Sequence, residues 1–129
     1  MKYQEVNICF ISLLSDLNDP TYVGFLIKMY YIYLLRCQNN SLYTGITTDV
    51  TRRLQEHQKG KKGAKYTRIY TPLKMEAIWK CETRSLALKL EYQLKQLPKV
   101  KKENLIKNET LFKEIFEKKV NIENYYRLK

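Results

Sequence analysis

The sequence predicts an α+β fold, a small three-stranded sheet flanked by helices in the order ββαβα, with extra segments at both termini. Three observations carry that prediction. Tyr30 to Cys37 is a run of aromatic and branched residues followed at once by the turn-forming Gln38-Asn39-Asn40-Ser41, which reads as the first half of a hairpin. Leu73 to Cys81 alternates Met75, Ala77 and Trp79 with Glu76, Ile78 and Lys80, the period of a half-buried strand. Leu86, Leu90, Leu94 and Leu97 recur at helical spacing and stop at Pro98.

Met29 opens the first clear strand pattern, so residues 1–28 read as an N-terminal extension. Leu42-Tyr43-Thr44-Gly45-Ile46 is the second strand. Thr47, Thr48 and Asp49 offer N-caps to a helix through Val50 and Leu54 that ends near Gly60. Gly60 to Arg68 reads as a flexible basic loop with one aromatic, and the third strand follows Pro72. Thr83 or Ser85 caps the helix that carries the leucine stripe, and Lys99 to Lys107 suggests a short helix after it. Residues 29–107 form the expected domain. Leu111, Phe112, Ile115, Phe116 and Val120 predict a final amphipathic helix within residues 108–129.

A chain of 129 residues suits one core rather than two. Its formal charge of +11 arises between residues 29 and 107, where 17 basic side chains face 6 acidic ones, and this points to a polyanionic partner. With 44% hydrophobic and 12% aromatic residues, a wholly disordered basic chain is excluded. No stretch approaches the ~20 apolar residues that span a bilayer. The longest candidate, Ile8 to Leu14, is broken by Ser12, preceded by Glu5 and followed by no small-residue cleavage site, so a cytoplasmic protein is expected. Cys9, Cys37 and Cys81 are odd in number and far apart, which supports neither a disulfide framework nor a zinc site.

Five side chains stand where chemistry could converge. Tyr33 and Tyr43 lie on neighbouring strands of the hairpin, so both phenols can face one side of the sheet. Gly45 leaves room for a close approach to the backbone. Arg53 can present a fork of donors to a phosphate, and His57 follows one helical turn later. Glu91 lies about 100° around its helix from Leu90, at the edge of the apolar stripe, where a carboxylate could reach the sheet and hold a divalent cation. Arg52, Lys59, Lys61, Lys62, Lys65 and Arg68 supply a basic surface beside them suited to nucleic-acid phosphates. Taken singly, each tyrosine reads as a packing residue and Glu91 as a surface carboxylate paired with Lys95 at i+4.

At these positions the chain resembles the GIY-YIG nuclease superfamily. Tyr31-Ile32-Tyr33 stands where the first tripeptide would be and Tyr43-Thr44-Gly45 where the second would be, while Arg53-Leu54 and Glu91 fit the later motifs. The runs SLYTGITTDVTRRLQEHQKGKKGAKYTR and SLALKLEYQLKQL look most like the small single-domain bacterial YhbQ-like branch. They are also similar to the nuclease domain of the eukaryotic structure-selective nuclease that cuts branched DNA. The resemblance covers roughly Met29 to Ile106. Two departures stand out: Ile46 occupies the position where the excision-repair members carry Lys, and Asn104 is out of step with an Asn found in some members.

The resemblance implies metal-assisted hydrolysis of DNA phosphodiester bonds, on branched or single-stranded substrates in repair or recombination. Glu91 would hold Mg²⁺ or Mn²⁺, Tyr43 would take the proton of the attacking water, and Arg53 would stabilise charge on the phosphoryl oxygens. Tyr33 would position water or Tyr43, and His57 would be a secondary candidate for contacting phosphate or the leaving group. The alternative is a nucleic-acid-binding module of the same fold without turnover, which Ile46 and the missing Asn favour. The terminal segments would offer a surface to a protein partner.

Overall fold

Strands β1, Tyr30–Cys37, and β2, Leu42–Thr47, form the expected antiparallel hairpin in a computed structural model that describes residues 28–60 and 63–128. Nearly all of the predicted N-terminal extension, with Cys9, and the candidate contacts Lys61 and Lys62 thus lie outside the described residues. The hairpin turn closes as its sequence dictates. Asn40 adopts a left-handed φ of 65°, which Asn tolerates better than most residues, and the Asn39 side chain accepts from Ser41 N at 3.2 Å.

Helix α1, Val50–Lys59, starts at Asp49, whose carboxylate accepts from Arg52 N at 3.0 Å, and ends at Gly60 with φ 76°. Residues 65–69, expected as part of a flexible loop, instead form a short helix α2, Lys65–Ile69. Strand β3, Pro72–Cys81, pairs antiparallel with β1, with register shifts opposite Leu34/Leu35 and Arg36/Cys37. Thr83 caps α3, Arg84–Gln96, by accepting from Leu86 N at 3.2 Å, and Pro98 separates it from α4, Lys99–Lys107.

The core lies on one face of the sheet, where Ile32, Leu34, Ala77 and Trp79 meet Leu90, Leu94 and Leu105. Burying these side chains is the dominant stabilising term, on the order of 1.5–3 kcal/mol for each large one. Cys37 and Cys81 are buried free thiols, and burial pushes the Cys81 thiol up to about 11. Arg36 ties the far end of β1 to its neighbours through Glu76 at 2.9 Å and through both carboxylate oxygens of Glu103 on α4. Among the described residues no helix is long and apolar enough to cross a membrane.

The structure departs from expectation at the C-terminus. The helix expected through Val120 ends early, as α5, Leu111–Phe116. A 3-10 turn, Ile122–Asn124, leads to strand β4, Tyr126–Arg127, which pairs antiparallel with β3 and makes the sheet four-stranded in the order β2-β1-β3-β4. The physical reason is side-chain capture. Phe116 is fully buried, Phe112 stacks on Trp79 with centroids 5.7 Å apart, and the Arg127 guanidinium covers the same indole at 5.1 Å. Tyr125 donates its hydroxyl to Leu86 O at 2.6 Å.

These contacts make the C-terminal segment part of the folding unit. Phe116→Ala is expected to cost about 3–5 kcal/mol in urea denaturation. A loss below about 1 kcal/mol, the size of an ordinary surface substitution, would place the segment outside the cooperative core.

Candidate active site

On the sheet face opposite the main core, β1 and β2 bring Tyr33, Gly45 and Tyr43 together. Tyr33 pairs with Gly45 in the strand register, and its ring lies across the glycine backbone. A Cβ built on Gly45 would sit 2.6 Å from Tyr33 Cζ and 3.1 Å from Tyr43 Cε1, so any larger residue would displace the phenol. Tyr33 is fully buried, whereas Tyr43 is half-buried and reaches the surface.

Arg53 and His57 stand four residues apart on α1 and therefore share the helix face that covers the two tyrosines. The Tyr33 hydroxyl lies 2.8 Å from His57 Nε2, and His57 Nδ1 lies 2.8 Å from Thr67 Oγ1 on α2. Thr67 spends its hydroxyl proton on Ala64 O at 2.9 Å, so it can only accept from His57. That fixes the tautomer: Nδ1 carries the proton and Nε2 accepts from Tyr33. Arg53 donates to the Tyr33 oxygen and to Glu56 Oε2 at 2.9 Å. The result is one directional chain from Arg53 through Tyr33, His57 and Thr67 to a backbone carbonyl.

The electrostatics agree with that order. Burial pushes the Tyr33 phenol up to about 12, against the opposing hydrogen bond and charge of Arg53. Burial, helped by the Arg53 charge, holds His57 down at about 4, so it is neutral at neutral pH. His57 is 1% exposed and both ring nitrogens are engaged. The ring thus faces Tyr33 and Thr67 rather than the surface, where a contact with phosphate or leaving group was expected.

Glu91, on α3, is close enough for its charge to raise Tyr33 further, and its half-buried carboxylate pairs with Lys95 at 3.6 Å. The structure thus gathers Tyr33, Tyr43, Arg53, His57 and Glu91. Among the described residues no three His, Cys, Asp or Glu side chains form a metal cage. Mg²⁺-like cations need no such cage, because they keep waters and use one or two carboxylates together with substrate phosphates. The half-buried Glu91 carboxylate, joined by water and substrate phosphate oxygens, would meet that demand.

Outside the buried chain the aromatic surface continues. Tyr66 stacks on Tyr43 at 6.2 Å and 19°, and Tyr70 follows Tyr66 at 4.8 Å, both more than a third exposed. Arg52, Lys59, Lys65 and Arg68 are exposed on the two helices that carry this site. Arg52 and Arg53 both pair with Glu56, at 3.6 and 2.9 Å. Sequence reasoning missed Glu56, Thr67, Tyr66 and Tyr70. The i+3 and i+4 spacing of Glu56 from the two arginines was a usable signal, but nothing local marks Thr67.

Two outcomes are expected. Gly45→Ala should destabilise by about 1–3 kcal/mol through overpacking and should break the Tyr33–His57 hydrogen bond; an unchanged melting temperature would refute the close approach. His57 binds protons in the unfolded chain below its usual 6.5 but in the folded chain only near 4, so stability present above 6.5 is lost as pH falls between these values. The loss reaches on the order of 3 kcal/mol by the lower value. Thermal melts of wild type and His57→Gln across this window should show the steeper decline in the wild type, and parallel curves would refute it.

Known proteins share these features. The GIY-YIG catalytic domain profile matches residues 29–104. A UPF0213 protein of Fusobacterium nucleatum is 44% identical over 87 residues, 67% of this chain and 86% of the relative. The UPF0213 protein YhbQ of Salmonella arizonae is 46% identical over 86 residues, 67% of this chain and 85% of the relative. The solution NMR structure of the UPF0213 protein BH0048 from Bacillus halodurans, 44% identical, covers 61% of this chain and 83% of its own with a TM-score of 0.40. With the profile spanning the hairpin, α1 and α3, from which all five gathered side chains come, the chain belongs to the GIY-YIG catalytic-domain family of nucleases, in its small bacterial UPF0213 branch.

Proposed function

We propose that this chain is a divalent-metal-dependent endonuclease that hydrolyses DNA phosphodiester bonds. The observation that carries this reading is the convergence of a second phenol, a guanidinium and a carboxylate on Tyr33, the buried phenol held by Arg53 and His57.

Each group then has a role that its environment suits. Tyr43 is the phenol that reaches the surface; acting as phenolate, a form the neighbouring Arg53 charge and a divalent cation would favour, it takes the proton of the attacking water as the oxygen bonds to phosphorus, the opposite P–O bond breaks and the leaving oxygen takes a proton from solvent. Tyr33 keeps its proton, because its phenol lies near 12 and its neighbour His57 near 4. It is a positioning residue that aligns Arg53 and Tyr43. Arg53 directs its positive charge at the phosphoryl oxygens as negative charge develops there. A divalent cation held by Glu91 would supply Lewis-acid stabilisation of that same charge.

The substrate reading is branched or single-stranded DNA. The ladder Tyr43–Tyr66–Tyr70, flanked by Lys65 and Arg68, offers ring faces to a base that has left its stack, and such stacking contributes about 1–3 kcal/mol per base. A role in repair or recombination is consistent with such substrates. The second reading, a binding module without turnover, draws on Ile46, which stands where the excision-repair members carry Lys and packs against the core face of the sheet.

The deciding experiment is cleavage of labelled single-stranded, duplex, flap and four-way-junction DNA in Mg²⁺, Mn²⁺ or EDTA. Metal-dependent cutting is expected, lowered about 10²-fold or more by Tyr43→Phe and abolished by Glu91→Gln with binding retained. Binding without cutting in either metal would establish the module instead.

A further inference from the structure

A second basic surface lies beyond the site, on the other flank of α3. The turn after α5, residues 117–124, stands away from this helix and leaves an open groove of about 1140 Å³. Arg84 and Lys89 line it from α3, and Lys118 and Lys119 from the turn. All four are exposed, and among the described residues none forms an ion pair. Glu117 is the one acidic residue in the lining, while Gln93 and Asn121 add neutral donors. Four cations against one carboxylate, with amide donors between them, is the set that contacts phosphate oxygens without reading bases.

The helix relates this groove to the site. Leu90 points into the core, Glu91 lies about 100° to one side of it and Lys89 about 100° to the other. The crest between those two flanks carries Leu88 and Tyr92, the latter 62% exposed. An α-helix with its side chains is about 10–12 Å across, so the groove lies roughly three duplex steps of about 3.4 Å from Glu91. A nucleic acid seated at the tyrosines and crossing this crest reaches the groove with its next phosphates.

We propose that the groove between α3 and residues 117–124 is a second phosphodiester-backbone site, which holds the substrate a few nucleotides from the bond cut. The position relative to a cut rests on the nuclease reading; the binding itself does not. It supplies affinity and direction rather than sequence choice, and it acts only on substrates long enough to cross α3.

The test measures fluorescence anisotropy of labelled DNA of about 20 nucleotides, single-stranded and duplex, and of about five nucleotides, in EDTA over a range of KCl. Lys118→Glu/Lys119→Glu is compared with Lys101→Glu/Lys113→Glu, an equal charge change at exposed lysines outside the groove. Circular dichroism melts establish that both variants fold. The groove variant should lose about tenfold or more in affinity for the long probes and lower the slope of log K against log salt by about 1.5–2, with little change on the short probe. The control should change the slope by less than about 0.5.

Equal slopes in the two variants, or equal losses on short and long probes, would overturn the proposal. An acidic protein partner would produce the first of these outcomes. The nuclease reading fails separately. Lost slope with no metal-dependent cutting would keep the groove and remove the nuclease, whereas cutting with equal slopes would do the reverse.

Discussion

The site depends on one buried phenol. Tyr33 is large, polar at its tip and wholly removed from water, and an unpaired hydroxyl there would cost on the order of 1–3 kcal/mol. The chain around it meets that cost from three elements at once. β2 supplies the missing side chain at Gly45, α1 supplies Arg53 and His57, and α2 supplies Thr67. Each partner is oriented by the next, so the donor and acceptor pattern has one solution, ending on the carbonyl of Ala64. This is how a short helix in a basic segment comes to matter for a tyrosine on the central strand.

In the proposed reaction the same constraint divides the two phenols by task. Tyr33 has proton partners but no access to water, whereas Tyr43 has access and is packed by the rings of Tyr33, His57 and Tyr66. A general base has to meet its water, whereas an orienting group has to be fixed. Arg53 is the link, since its guanidinium bonds both the buried phenol and Glu56. Opposing charge is placed with similar economy. Arg36 is closed in by Glu76 and Glu103 at the far end of β1 and acts as scaffold, while Arg52, Lys59, Lys65 and Arg68 stand exposed around the opening.

Local chemistry made most of this fold legible in advance. The hairpin turn, the Asp49 and Thr83 caps and the leucine stripe depend on residues within a few positions of one another, and each formed where its residues stand. β4 did not show, because two residues carry no period and their place is set by Trp79 and Ile78, far away in the chain. α2 was hidden for the same reason: a five-residue helix rich in Lys and Arg is marginal alone and is held by Thr67 against His57. The candidate site followed the same rule. Tyr33, Tyr43, Gly45, Arg53 and Glu91 could be grouped from strand pairing and helix spacing, but the tautomer of His57 required a hydroxyl that only the folded chain brings near.

Glu91 shows why a structural pair and a functional role need not compete. Its contact with Lys95 is an i, i+4 pair at 3.6 Å with an exposed lysine, and such pairs contribute about 0.3–0.5 kcal/mol. That is enough to bias the carboxylate's rotamer on a helix whose opposite side is locked in the core. It would be far too little to hold the carboxylate against a divalent cation, whose charge is twice the ammonium's. Lys95, on a long exposed stem, can swing back to solvent at almost no cost when the carboxylate takes another partner. The pairing expected of a plain surface glutamate is therefore also compatible with a metal ligand, and in the proposed reaction removing Lys95 would leave the role of Glu91 intact.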